Sequence, residues 1–142
     1  MADLSRIRQE IRELQKGKFR LEVRLFRPLP MVPYSLVVAY LPCGKKGCRC
    51  KKGFPHGPYY YLTQHHQGRT KNIYIPKEAL PRISPLAQRY KEYETTLTKI
   101  RRLNQQILGL LKEIEKSAFV PPSKLNLKKA GQKGKEARRK TQ

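Results

Sequence analysis

A heptad pattern in the C-terminal half restricts the possible folds more than any other feature of the chain. Apolar residues and tyrosines recur at alternating spacings of four and three, with Asn104 as the polar exception. The helix they predict extends for roughly 43 Å and cannot bury its apolar stripe alone. It is expected to pack against another helix, a second copy of itself, or both. The heptad positions are Leu86, Tyr90, Tyr93, Leu97, Ile100, Asn104, Ile107, Leu111 and Ile114.

Local signals place this long helix within residues 77–120 and open it near Ser84. Ser84 is a good N-cap residue, and Pro85 suits the first helical position. Asn104 at a core position is expected to fix the helical register or the number of paired helices. The pattern therefore predicts a homo-oligomer formed through the C-terminal helix, an intrachain helical hairpin, or both.

A second amphipathic helix is predicted in the N-terminal region, residues 1–27. The pattern is clear to about residue 16, but from Phe19 to Leu25 apolar residues also alternate as in a strand. Pro28, Pro30 and Pro33 then predict an extended linker over residues 28–34. The stripe of this helix consists of Leu4, Ile7, Ile11, Leu14, Lys18, Leu21 and Leu25.

Residues 35–76 predict a three-stranded antiparallel meander. The expected strands are Ser35–Leu41, Tyr59–Thr63 and Arg69–Ile75, with turns at Gly57-Pro58 and Gln67-Gly68. Together with the two helices, this sheet predicts an α+β fold. The remaining residues, 121–142, form a basic tail that is expected to be disordered.

The charge of the chain predicts a polyanionic partner. Its 142 residues carry a formal net charge of +22, and residues 23–77 contain no Asp or Glu. An apolar fraction of 38% is too low to fill a large core, so the composition is unusual for an enzyme. We expect nucleic acid as the partner, and an anionic membrane surface as the second choice.

The N-terminal sequence predicts a cytoplasmic protein. MADLSRIRQEIREL is charged throughout, unlike a signal peptide or an anchor, and no segment resembles a membrane span. In a reducing compartment, three clustered cysteines are more easily explained as metal ligands or free thiols than as disulfides.

The loop after the first strand carries the clearest chemical motif. Cys43, Cys48, Cys50 and His56 are spaced as C-x4-C-x-C-x5-H and offer four ligands for a tetrahedral structural Zn(II) site. A glycine-rich phosphate-binding loop and a redox-active thiol cluster are the two alternatives. His65 or His66 can also be considered in place of His56 as the fourth ligand.

Cations and tyrosines around this motif are the candidate nucleic-acid contacts. In a strand, Tyr59 and Tyr61 share one face and can stack on bases, whereas Tyr60 faces the other side. Arg49, between two cysteines, is the best candidate for a base-edge or bidentate phosphate contact. The full predicted set is Lys45, Lys46, Arg49, Lys51, Lys52, Tyr59, Tyr61, Arg69 and Lys71.

Four motifs give the chain a family resemblance. CGKKGCRC, HGPYYYL, GRTK and YIPKE occur in this order over residues 35–115, as in a family of small basic bacterial and archaeal proteins that this chain resembles. Some members of that family carry a transposase-like label, so the resemblance implies DNA of mobile elements as the partner. The proline-rich segment 28–33 departs from the usual N-terminal pattern of the family.

These observations predict a non-catalytic nucleic-acid-binding protein, with DNA narrowly favoured over RNA. A structural component of a larger ribonucleoprotein is the alternative, because a coiled coil and a basic tail also suit burial in RNA and protein. A strand-cleaving enzyme that uses a tyrosine is a third hypothesis. The acidic residues that would usually bind its metal are missing from residues 23–77.

Overall fold

A computed structural model describes residues 3–125 and confirms the α+β fold. Along the chain, one α-helix precedes a three-stranded antiparallel sheet and the other α-helix follows it. Strands that are consecutive in the sequence are also neighbours in the sheet. Most of the predicted basic tail, residues 126–142, lies outside the described part of the chain. The elements are α1 (Leu4–Leu25), β1 (Ser35–Leu41), β2 (His56–His66), β3 (Arg69–Ile75) and α2 (Leu80–Ser117), with short 3-10 turns at Arg49–Lys52, Lys77–Ala79 and Pro122–Lys124.

Helix α1 begins at a side-chain cap and continues past the ambiguous region of the sequence. Asp3 Oδ1 accepts hydrogen bonds from the backbone amides of Ser5 (3.0 Å) and Arg6 (3.3 Å), which otherwise lack partners. The helix runs through Gly17 to Leu25, so the alternative of a strand over 19–25 is wrong. Leu21 and Leu25 are partly buried whereas Phe19 and Val23 are exposed, a burial pattern that follows the helical period and not the alternation of a strand.

The two helices pack side by side and bury a small apolar cluster at one end of the molecule. Ile7 and Ile11 of α1 contact Ile107 of α2, so the start of α1 lies beside the end of α2. This antiparallel hairpin is one of the arrangements that the heptad pattern predicts. Leu4, Leu14, Leu110 and Ile114 pack around the three buried residues.

The heptad assignment holds at Ile107 and Ile114, which lie in the apolar cluster, but it is wrong at Asn104 and Leu111. Asn104 is exposed and Leu111 is 47% exposed, whereas Leu103 is partly buried and Leu110 contacts the apolar cluster. Where α2 packs against α1 alone, its buried positions follow the natural helical period of 3.6 residues. Within a few turns these positions drift away from those of a 3.5-residue heptad repeat. Asn104 therefore does not occupy a core position in this hairpin.

Helix α2 also begins earlier than Ser84. It starts at Leu80, with Pro81 near its N-terminus and Pro85 inside it. Leu80 and Ile83 pack on the sheet, and this burial offsets the one backbone hydrogen bond that Pro85 cannot donate. The α2 helix has 38 residues, and no helix within residues 3–125 is both long and apolar enough to cross a membrane.

The sheet forms the second apolar cluster with the N-terminal half of α2. Leu62 of β2, Ile75 of β3 and Ala87 of α2 are buried, and Tyr60 packs against them. The proline-rich linker is fixed across this cluster, because Val32 N donates to Leu86 O (3.2 Å) and Arg89 Nη1 donates to Pro30 O (3.0 Å). The linker thus ties the end of α1 to both α2 and the sheet.

Strand β2 is longer than predicted, because Gly57 and Pro58 lie within it and do not form a turn. The pairing with β1 shifts register between Ala39 and Leu41, so Leu41 is opposite His56. Gly57 has φ +145°, and a Cβ atom there would lie 2.9 Å from both Ala39 O and Tyr40 Cδ1. Only glycine fits this close approach of the two strands.

Gly57→Ala is therefore expected to lower the free energy of unfolding by about 1–3 kcal/mol, measured by urea denaturation. The new methyl group would push β1 away from β2 and would also impose an unfavourable φ. Gly44→Ala is the matched control, because no heavy atom lies within 4 Å of its Cβ position. Equal stability of the two variants would contradict this account of Gly57.

Candidate metal centre and nucleic-acid interface

The β1–β2 connection, residues 42–55, which we call the Cys loop, folds back on itself through a 3-10 turn. Arg49–Lys52 form this turn, and Gly53 ends it with φ 95°, in the left-handed region that glycine adopts without strain. The turn is closed by Lys51 N donating to Cys48 O (3.2 Å) and Phe54 N donating to Arg49 O (3.4 Å). It buries Cys50, which is 7% exposed.

The Cys loop brings together all four predicted zinc ligands. The ligand atoms of Cys43, Cys48, Cys50 and His56 lie within 4.8 Å of one another. Cys43 Sγ is 3.4 Å from Cys50 Sγ, and Cys48 Sγ is 3.0 Å from His56 Nε2. His56 is the first residue of β2 and pairs with Leu41, the last residue of β1. This pairing holds His56 beside the Cys loop that connects the two strands.

The donor set and its spacing fit a structural zinc ion. Two sulfurs bound to one tetrahedral zinc lie roughly 3.8 Å apart, close to the 3.4 Å between Cys43 and Cys50. All three cysteines are free thiols, so no disulfide competes for the sulfurs. Cys43 N also donates to Cys50 Sγ (3.3 Å), a contact that would stabilise a thiolate ligand. The predicted zinc site is therefore consistent with the structure.

The thiols of this cluster differ in acidity. A backbone hydrogen bond from Cys50, joined by hydrogen bonds with the Cys43 and Cys50 thiols and with His56, lowers the pKa of Cys48 to about 6. For Cys43, the backbone hydrogen bond with Lys45 lowers the pKa, but contacts with the other two thiols and burial outweigh it and raise the pKa above its usual value. With this lowered pKa, Cys48 is largely a thiolate at neutral pH, whereas metal binding would displace a proton from Cys43.

The other two histidines lie away from the Cys loop. His65 and His66 are at the opposite end of β2, and His65 Nδ1 is 2.8 Å from Thr70 Oγ1 across the hairpin. Ten residues separate His56 from His66 along β2, a distance of roughly 33 Å in an extended strand. His56, and neither of these two, is the histidine that joins the three cysteines.

The predicted cations divide into two groups. Five of them are exposed on the Cys loop around the Cys3His cluster, and within residues 3–125 none of the five forms a salt bridge. Arg69 and Lys71 lie at the other end of the sheet, opposite His66 and Gln64. The five loop cations are Lys45, Lys46, Arg49, Lys51 and Lys52.

The tyrosines separate by face as predicted. Tyr60 packs on the core, whereas Tyr59 and Tyr61 belong to the face opposite α2, which we call the outer face. Tyr74 of β3 lies opposite Tyr61 on this face, and the two rings form an edge-to-face pair with centroids 5.7 Å apart. Sequence reasoning missed Tyr74, although its alternate position in β3 was a usable signal. The outer face consists of Ser35, Val37, Ala39, Leu41, Tyr59, Tyr61, Thr63, His65, Thr70, Asn72 and Tyr74.

A second basic region, also missed by sequence reasoning, lies in a groove between the end of α1 and α2. The groove has a volume of about 520 Å³, and Glu92 is the acidic residue in its lining. Its members come from segments that are distant in the sequence, so only the helical hairpin brings them together. The cations that line it are Arg24, Arg27, Arg89, Lys91 and Lys99.

Comparison with known proteins identifies a family but supplies no activity. No curated protein and no solved structure gives a significant match to the chain. A family model described as a domain of unknown function (DUF6788) matches residues 1–85, which include α1, the proline-rich linker, the whole sheet and the Cys loop. Since this match covers more than half of the 142 residues, the chain belongs to the DUF6788 family.

Proposed function

We propose that the protein binds nucleic acid without catalysing a reaction on it, and that the zinc-stapled Cys loop is its main contact surface. The observation that carries this proposal is the position of five exposed cations on one short loop whose shape is set by the Cys3His cluster. A metal-fixed loop holds its cations in place, so that less conformational entropy is lost when they meet phosphates.

The electrostatics of the sheet supports a polyanionic ligand. Residues 23–77 contain no Asp or Glu, so no acidic side chain of the sheet or of the Cys loop opposes the approach of a phosphate backbone. Lys and Arg contacts to phosphates release condensed counterions, which makes binding strong at low salt. Arg49 begins the 3-10 turn between two cysteines and is the best placed cation for a bidentate contact.

DNA is the nucleic acid that we favour, and the transposase-like label of the resembling family suggests DNA of mobile elements. This would place the protein in the cytoplasm, on the nucleoid. The experiment is to purify the full chain at low salt and to identify the copurifying nucleic acid by nuclease sensitivity and sequencing. DNA enriched in mobile elements is expected. The absence of any bound nucleic acid would contradict the proposal.

A component of a ribonucleoprotein is the second candidate, and the segment that follows α2 favours it. Phe119, Val120 and Leu125 are 67%, 59% and 51% exposed, and such side chains are more often covered by neighbours in an assembly. In this case the copurifying nucleic acid would be one defined RNA, and the free protein would aggregate.

Self-association through α2 is part of the same proposal. Leu108 and Leu111 are 58% and 47% exposed on the surface of α2, so a second copy can cover them. We expect light scattering at micromolar concentration to give at least a dimer, and the double variant Leu108→Lys/Leu111→Lys to be monomeric. Phe54→Lys is the control, since Phe54 is 70% exposed on the Cys loop, outside α2. A monomeric wild-type protein would contradict the proposal.

A further inference from the structure

We infer that the outer face binds a single strand of nucleic acid, with unpaired bases stacked on Tyr61 and Tyr74 and the adjoining phosphates held by the Cys loop. This inference rests on the proposed function and deepens it, because it specifies single-stranded nucleic acid as the preferred ligand. It adds Tyr74 to the contacts and excludes Tyr60, whose ring packs against the core.

The geometry of the rings provides a place for bases. Tyr61 and Tyr74 stand at an interplanar angle of 66°, and Tyr74 is 55% exposed. Beside Tyr61 lies an open groove of about 330 Å³ that also contacts Val37, Thr63 and Asn72. This volume is within the range of small-molecule sites and is sufficient for a nucleobase. Apolar and aromatic walls with two polar side chains suit a flat heteroaromatic ring.

A single strand fits this surface better than a duplex. In a duplex each base is already stacked on its neighbours, so its flat faces are not accessible to a tyrosine ring. Unpaired bases stack on exposed aromatic rings of a sheet with little dependence on sequence. The rings of Tyr61 and Tyr74 lie on the surface of a sheet. They do not project in the way that a helix or a β-ribbon does when it enters the major groove of a duplex.

A second copy of the chain is a less suitable occupant of the outer face. The three strands have seven, eleven and seven residues and cover an area of roughly 14 Å by 23 to 36 Å. This is roughly 300 to 500 Å², below the roughly 800 Å² per partner that a stable interface usually buries. Two copies would also bring their acid-free, positively charged sheets together, and this repulsion would oppose pairing.

The Cys loop can anchor the phosphates of the same strand. Tyr61 is five residues from His56 along β2, or roughly 17 Å, so the loop cations adjoin the aromatic end of the face. Arg69 and Lys71 lie at the far end of the hairpin and are paired with residues of the opposite face. A strand bound at the Cys loop and at Tyr61 therefore does not require these two cations.

The test compares a single-stranded oligonucleotide of about ten nucleotides with its duplex, by fluorescence anisotropy on the full chain. The wild-type protein is expected to bind the single strand more tightly. Tyr61→Ala and Tyr74→Ala are each expected to weaken single-strand binding by about 5- to 100-fold and to leave duplex binding unchanged. Tyr61→Phe and Tyr74→Phe are expected to retain it, because the ring stays.

A fluorescent adenine analogue, quenched when it stacks, provides a second readout. Quenching in the complex is expected to disappear in the Tyr74→Ala variant and to persist in Tyr40→Ala. Tyr40 is the matched control, because it is an exposed tyrosine (58%) that does not line the groove. It lies between Ala39 and Leu41 of β1, which do line the groove, and so it faces away from the outer face. Thermal unfolding of each variant checks that the sheet is intact.

The outcomes separate the inference from the proposed function. Salt-dependent binding that requires the loop cations but is unaffected by both tyrosine variants would overturn the inference and leave the proposed function intact. Equal losses for single strand and duplex would also overturn it. Absence of any nucleic-acid binding would overturn both. A loss of dimer mass in Tyr74→Ala would show that a second copy occupies the outer face and would overturn the inference as well.

Discussion

Replacing Cys50 by Ser is expected to abolish zinc binding and, with it, the cooperative unfolding of the sheet. Cys50 is the buried ligand, and its thiol lies against Cys43 at 3.4 Å. Metal binding contributes roughly 10–16 kcal/mol to folding in small zinc domains. The sheet has only a few buried residues, so a contribution of this size would decide whether it folds.

The measurement is metal content by elemental analysis, followed by thermal unfolding with and without a chelator. Wild-type protein is expected to hold about one zinc per chain, and the Cys50→Ser variant none. His56→Ala should share the defect, whereas His65→Ala is the matched control, because His65 bonds to Thr70 at the other end of β2. Metal-free wild-type protein with an unchanged unfolding transition would contradict the zinc site.

Removing three loop cations is expected to weaken nucleic-acid binding strongly and to reduce its dependence on salt. Each phosphate contact contributes about 0.9 to the slope of log affinity against log salt, so Arg49→Ala/Lys51→Ala/Lys52→Ala should lower the slope by about 2.7. At low salt the three lost contacts should reduce affinity by a factor on the order of 100 or more.

The matched control carries the same change in charge on another surface. Arg101, Arg102 and Lys112 are exposed cations of α2, and their triple Ala variant removes three charges without altering the Cys loop. It is expected to change affinity only slightly, through the weaker overall field. Similar slopes for the two triple variants would show that net charge, and not the Cys loop, determines binding.

The parts of the structure that could be predicted from the sequence depend on neighbours in the chain. The Cys3His cluster was predictable because its four ligands lie within fourteen consecutive residues and converge through one turn. The strands β1 and β3 were predicted with their observed bounds, since β-branched residues and flanking turn signals define them locally. Alternation likewise placed Tyr60 on the face opposite Tyr59 and Tyr61, and the structure shows that this face packs on the core.

The errors arise where tertiary contacts overrule local signals. Pro85 marked a helix start, but burial of Leu80 and Ile83 on the sheet extends α2 toward its N-terminus. Gly57 favoured a turn in the sequence. In the structure, its lack of a side chain instead allows β1 and β2 to approach each other closely. The basic groove between α1 and α2 is formed by distant segments, so no local pattern could have identified it.

Helix α2 belongs to both apolar clusters, and this has a consequence for how the molecule loses its structure. Ala87 packs with the sheet, whereas Ile107 packs with α1, so the two clusters are separate and are joined by one helix. Within residues 3–125 no side chain is less than 2% exposed, so neither cluster is large. Each cluster can therefore open as its own cooperative unit. Chelation of the metal should release the sheet first, and amide exchange should then remain slow where Ile7 and Ile11 face Ile107.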